Sequence, residues 1–138
     1  MTEKKPKKLL EKIAEAFNDL DTQATQLQQR AAELEASGMA HATINWKDPE
    51  ETVLRLSHYN DSPYRLAGGK RIEHIGKERE RIAEAKDRVY RWNKWAEIQE
   101  ELEKIKEKHL TAMQNLDMIL YNIKAVQKPL PGFDTPKT

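Results

Sequence analysis

From Lys77 to Lys128 the chain meets neither proline nor glycine, and no other feature restricts its fold so strongly. A stretch of about fifty residues without a helix breaker spans some ~75 Å as one helix at ~1.5 Å per residue. Apolar residues return along it in alternating steps of four and three: Ile98, Leu102, Ile105, then His109, Ala112, Leu116, Ile119, Ile123 and Val126. That spacing is the a/d seam of a coiled coil. Upstream the seam reads Ile82, Ala85, Val89, Trp92, Trp95 and Ile98, with two successive steps of three at the tryptophans. Such a fault rotates the seam, so Trp92 and Trp95 are expected to fill an irregular gap or to offer an aromatic patch to a partner. His109, polar on an apolar seam, reads as a register-setting residue, with a pH switch as the alternative.

The N-terminal third repeats the pattern on a shorter scale. Leu10, Ile13, Phe17, Leu20, Ala24, Leu27, Ala31 and Leu34 alternate three and four without a break. Pro6 stands where a helix start tolerates it and Ser37-Gly38 supplies a stop. Between the helices the period falls to two. Ala42, Ile44 and Trp46 alternate with Thr43 and Asn45, and after Asp48-Pro49-Glu50-Glu51 Leu54 and Leu56 alternate with Arg55 and Ser57. These are strands joined by a turn. A second turn at Asn60-Asp61-Ser62-Pro63 leads into Tyr64 to Ala67, expected as a further strand. Gly68-Gly69 can take the positive φ angles of a two-residue hairpin, with Lys70 to Ile75 returning. The expected fold class is therefore mainly α with a small β insertion: two coiled-coil helices, residues 7–37 and 77–127, flanking a three- to four-stranded antiparallel sheet within residues 40–75. This makes one elongated domain, with a C-terminal tail from 128 to 138. That tail, with three prolines in eleven residues, reads as extended chain, or as a segment that docks Leu130 and Phe133 on a neighbour.

Charge is segregated although the whole chain nets +1. From Arg55 to Lys94 there are eleven Lys or Arg against six Asp or Glu, leaving −4 for the remainder. Arg65, Lys70, Arg71 and Lys77 surround the glycine pair, Tyr59, Tyr64 and His74 lie among them, Arg55 precedes them, and Arg79, Arg81, Arg88 and Arg91 continue down the helix. Cations in that density neutralise phosphates, tyrosines contact sugar or base, and a β-ribbon fits the major groove. The competing reading is a solvated face, because Glu73, Glu78, Glu80, Glu84 and Asp87 are interspersed at spacings suited to ion pairs.

The stretch YRLAGGKRIEHIGK, followed by a charged helix, resembles segments of small proteins from phages, plasmids and transposons, and is similar to the small DNA-binding sheets at the start of some tyrosine recombinases. The layout of two helices flanking hairpins also resembles prefoldin subunits. The first resemblance implies nucleic-acid contact through the basic hairpin, the second a chaperone-like role.

Enzyme chemistry finds no constellation to rest on. His41, His58, His74 and His109 have no metal-ligand spacing and cysteine is absent, so neither a metal nor a cofactor is expected. Ser37, Ser57 and Ser62 lack a nucleophile elbow, and Gly68-Gly69-Lys70 lacks the spacing of a P-loop. The absence of cysteine suggests a reducing compartment, no apolar run reaches ~20 residues, and a cytoplasmic location follows as an expectation. The sequence thus points to a non-enzymatic accessory protein of a mobile element, forming homo-oligomers through its helices and binding nucleic acid through its sheet. The alternative is a protein-binding adaptor, chaperone-like subunit or inhibitor of a host complex.

Overall fold

The computed structural model describes residues 5–63 and 66–126. Helix α1 (Pro6–Ser37) leads into strands β1 (Ala42–Trp46) and β2 (Leu54–His58), a 3-10 turn over Ala67–Gly69, strand β3 (Ile72–Gly76) and helix α2 (Arg79–Val126). Pro6 is the first helical residue of α1, where its missing N–H costs nothing. At the other end Gly38 takes φ +92° and donates its amide to the Glu35 carbonyl at 3.1 Å, a left-handed stop that a residue with a Cβ adopts only under strain. The described chain divides into two compact units, residues 21–102 and residues 5–20 with 103–126. None of its helices is long and apolar enough to cross a membrane.

In the unit of residues 21–102, the three strands form an antiparallel sheet in the order β1-β2-β3. The period of two puts Ala42, Ile44, Trp46, Leu54, Leu56 and Ile75 on one face, against Ile82, Ala85 and Val89 from the first turns of α2. Leu54 and Leu56 are 0% exposed and form the centre of this core. The link from α1 to β1 is fixed to α2 by backbone: Ala40 N–H donates to the Arg88 carbonyl at 3.0 Å, and Arg91 Nε donates to the Gly38 carbonyl at 2.5 Å. Residues 40, 38 and 35 thus meet 88, 91 and 95 in turn, so the end of α1 runs antiparallel to α2. A second apolar cluster fills that contact, with Ala31, Leu34, Met39 and Ile98 at its centre and Leu27, Trp92, Trp95 and Leu102 against it. Both tryptophans expected at the seam fault therefore pack here, their rings 5.0 Å apart.

The turn from β1 to β2 is held by one carboxylate. Asp48 accepts the backbone N–H of Thr52 at 3.0 Å and of Val53 at 2.9 Å, and also the Thr52 hydroxyl. The hydroxyl bond foremost, with these amides, draws the Asp48 carboxyl down from the ordinary 3.8 to about 2.

The glycine pair departs from expectation. Gly68 and Gly69 do take positive φ, +76° and +73°, but they lie in the 3-10 turn rather than between two paired strands. Strand β3 pairs with β2, and residues 59–71 form one long connection. Leu66 is extended and Ala67 belongs to the turn, while Tyr64 and Arg65 lie outside the described residues. The sheet has three strands among the described residues. A Gly-Gly hairpin would need its flanking residues in ladder register, and Pro63 upstream has no N–H to give to such a ladder. The tail from 128 to 138, expected as extended chain, also lies outside the described residues.

In the unit of residues 5–20 and 103–126, Ile13, Phe17 and Leu20 of α1 and Ile105, Ala112 and Leu116 of α2 are half-buried. The Phe17 and His109 rings meet edge to face at 5.1 Å. His109, Ile119 and Ile123 are exposed, although the 3-4 spacing carries them on the same seam.

Candidate functional site

The strand alternation that buries Leu54 and Leu56 turns Arg55 and Ser57 to the opposite face of the sheet. Register completes the picture. Arg55 stands opposite Asn45 of β1 and His74 of β3, and Ser57 stands opposite Thr43 and Ile72. Two rows of three thus cross the outer face, Asn45–Arg55–His74 and Thr43–Ser57–Ile72, with no carboxylate in either. Arg55 is half-buried, and its Nε is shielded from water with no hydrogen-bond partner among the described residues. A shielded, unsatisfied guanidinium N–H retains most of its desolvation cost until an acceptor arrives. Lys77, Arg79 and Arg81 follow β3 into α2, all exposed and without a carboxylate partner among the described residues.

The two ends of the β2–β3 connection line a cavity of about 250 Å³, formed by His58, Tyr59, Asn60, Ser62, Gly69, Lys70 and Arg71. Its charged lining is cationic only. Arg71 is partly engaged, donating Nε to the His58 carbonyl at 3.1 Å while its own carbonyl accepts the His58 amide at 2.7 Å. The Tyr59 ring lies 4.4 Å from His41, which stacks on Trp92 at 4.3 Å and 18°. A continuous aromatic ladder therefore runs from the cavity edge through Tyr59, His41 and Trp92 to Trp95, whose indole N–H donates to Glu35 at 2.8 Å. Asp61 is 3.8 Å from His41 Nδ1, beyond hydrogen-bond reach.

Beneath the sheet, a polar network ties β2, β3 and α2 together. Glu73 accepts two bonds from Arg88, at 2.9 and 3.1 Å, and lies 2.8 Å from His58 Nε2. A carboxylate only accepts, so Nε2 carries the ring proton. That leaves Nδ1 of His58, which is 2% exposed, without a partner among the described residues. Burial pushes the Glu73 carboxyl up, but the hydrogen bonds from Arg88 and His58 outweigh it and hold the group below its ordinary value.

The sequence-predicted residues therefore separate into groups. Arg55 and His74 meet on the outer face of the sheet; Tyr59, Lys70 and Arg71 meet at the cavity; Lys77, Arg79 and Arg81 lie at the start of α2; Tyr64 and Arg65 are outside the described residues. Trp92 and Trp95 belong to the interior cluster and the ladder. Arg88 and Arg91, read in sequence as part of the basic run, are committed to the fold: Arg88 to Glu73, and Arg91 to Glu84 at 2.8 Å and to the Gly38 carbonyl. Asn45, Thr43 and Ser57 were not singled out from sequence, although the alternation that buries their neighbours already places them together. Comparisons with protein-family models, curated proteins and solved structures find no match for this chain.

Proposed function

We propose that the protein binds nucleic acid through the outer face of its sheet, as a non-enzymatic accessory protein of the mobile-element kind. The observation that carries this reading is the row Asn45–Arg55–His74, centred on a half-buried arginine whose Nε has no hydrogen-bond partner among the described residues, with no carboxylate in the row. Arginine forks onto guanine and asparagine onto adenine in the major groove, so these side-chain types suit base edges. Lys70 and Arg71 at the cavity and Lys77, Arg79 and Arg81 at the start of α2 would take phosphates, which position a complex without specifying sequence. The same reading has the helices joining copies of the chain.

Gel-shift titration of duplex DNA at two salt concentrations tests it. Arg55→Ala should weaken binding about 10- to 100-fold. Charge reversal at Lys70, Arg71 and Lys77 should flatten the log-log salt slope by about one for each phosphate the protein no longer neutralises. Reversal of Lys5, Lys7 and Lys8 is the control for plain polycation behaviour. Equal losses from both reversals would remove the sheet from the reading. A wild-type chain that binds neither duplex nor single strand at low salt, yet captures a protein with shallow salt dependence, would establish the adaptor alternative instead.

A further inference from the structure

The composition of α2 changes along its length. Residues 97–108 carry eight charges in twelve positions, whereas residues 109–126 carry only Asp117 and Lys124. On the apolar stripe that continues the seam through this last third, Ala112 and Leu116 are half-buried, while Ile119 and Ile123 are exposed. Roughly a quarter-turn round the helix, at ~100° per residue, runs a second stripe in steps of three and four: Leu110, Met113, Asp117, Leu120 and Lys124. Leu110 is 57% exposed, Met113 42% and Leu120 51%. Apolar side chains repeating in line on an open helix face differ from the scattered ones any surface carries, and mark a docking surface.

The two charges identify the occupant. They have opposite sign and stand seven residues apart, on one line of the helix. In a parallel pair of copies Asp117 would face Asp117 and Lys124 would face Lys124. In an antiparallel pair each Asp117 faces Lys124 of the partner subunit, twice, as a two-fold axis requires. We propose that the last third of α2 docks a second copy of this chain, antiparallel, about a two-fold axis between Leu120 and Tyr121: residues 115–126 of the two helices overlap, and Leu120, 51% exposed, meets Tyr121 of the partner subunit, 68% exposed, while Leu110 and Met113 fall outside the overlap. The inference rests on the self-assembly part of the reading above and is independent of nucleic-acid contact.

Sedimentation equilibrium of the full chain tests it, with single-cysteine cross-linking that the cysteine-free sequence leaves clean. Wild type should be dimeric at tens of micromolar. Asp117→Lys alone and Lys124→Asp alone should each weaken the dimer about tenfold or more, and the double exchange should restore it, since like charges set against each other are strongly unfavourable. Leu120→Cys, beside the axis, should form an interchain disulfide. Met113→Cys should not, because its two copies would stand about fifteen residues, or ~22 Å, apart along the antiparallel helices, far beyond disulfide reach. A dimer that is indifferent to both charge changes and cross-links through Met113→Cys would overturn the antiparallel arrangement while leaving self-assembly intact. A wild-type monomer at every concentration would overturn both, and leave the stripe to another occupant such as residues 127–138. Circular dichroism of each variant separates loss of pairing from loss of helix.

Discussion

Glu73 is the residue whose removal should tell most about what holds the sheet on α2. Its carboxylate gives Arg88 two charge-assisted bonds and is the only acceptor for His58 Nε2 among the described residues. In Glu73→Ala the His58 N–H, on a side chain 3% exposed, loses its partner where water has poor access, at a cost of about 1–3 kcal/mol. The guanidinium of Arg88 is more open, so water offsets part of its loss and about 1–2 kcal/mol remains. The sum, about 3 kcal/mol, is a large share of the ~5–15 kcal/mol of a typical domain and corresponds to roughly 10 °C in Tm. Urea unfolding followed by tryptophan fluorescence measures it directly, since Trp46, Trp92 and Trp95 all lie in the unit that contains the network. The cycle with Arg88→Met isolates the pair and should return a coupling of about 1–2 kcal/mol. The sign with pH is fixed. A carboxyl held below its ordinary value stabilises the fold above about 4.5 and ceases to do so as pH falls through its folded-state value. The gap between wild type and Glu73→Ala should therefore narrow under acid. Additive single mutants, or a gap independent of pH, would refute the argument.

Asp48→Asn should leave stability at pH 7 lower than wild type, with the difference shrinking between pH 4 and about 2 as the wild-type carboxyl protonates; the comparison is an acid titration of the two proteins followed by circular dichroism. Leu56→Ala, at a position wholly buried under the sheet, should cost about 2–5 kcal/mol in the same urea assay, the larger end if the cavity fails to collapse.

How far these features were legible in the sequence differs by residue. The period of two around Leu54 and Leu56 and the 3-4 spacing of the helices depend on local spacing alone, so the two helices, the three strands and most of their buried positions could be read directly, whereas Leu10, His109, Ile119 and Ile123 have the same spacing and are exposed. The same alternation carries His58 inward, but its partners Glu73 and Arg88 are fifteen residues further along from one another and from it in turn. Their meeting needs both the register of β2 on β3 and the seating of α2, which no spacing encodes. The row Asn45–Arg55–His74 depends likewise on a register shift between Leu54 and Arg55. For Gly68-Gly69 the left-handed conformation was legible because it belongs to the residue type. Its role was not, since a turn becomes a hairpin only when its flanks pair.

The backbone bond from Ala40 to Arg88 also bears on the order in which the chain assembles. Strands β1 and β2 are joined by seven residues, 47–53, and a closure that short is completed within about microseconds. The bonds that link residues 38 and 40 to 91 and 88 close a loop of about fifty residues, with an entropic cost that must be met before the contacts return anything. The hairpin is thus free to appear and dissolve before α2 arrives, and is retained only once the helix has seated its Arg88 carbonyl. In native-state hydrogen exchange the amide of Ala40 should then be a reporter of docking, exchanging with the loss of α2 from the sheet rather than with the fraying of either strand.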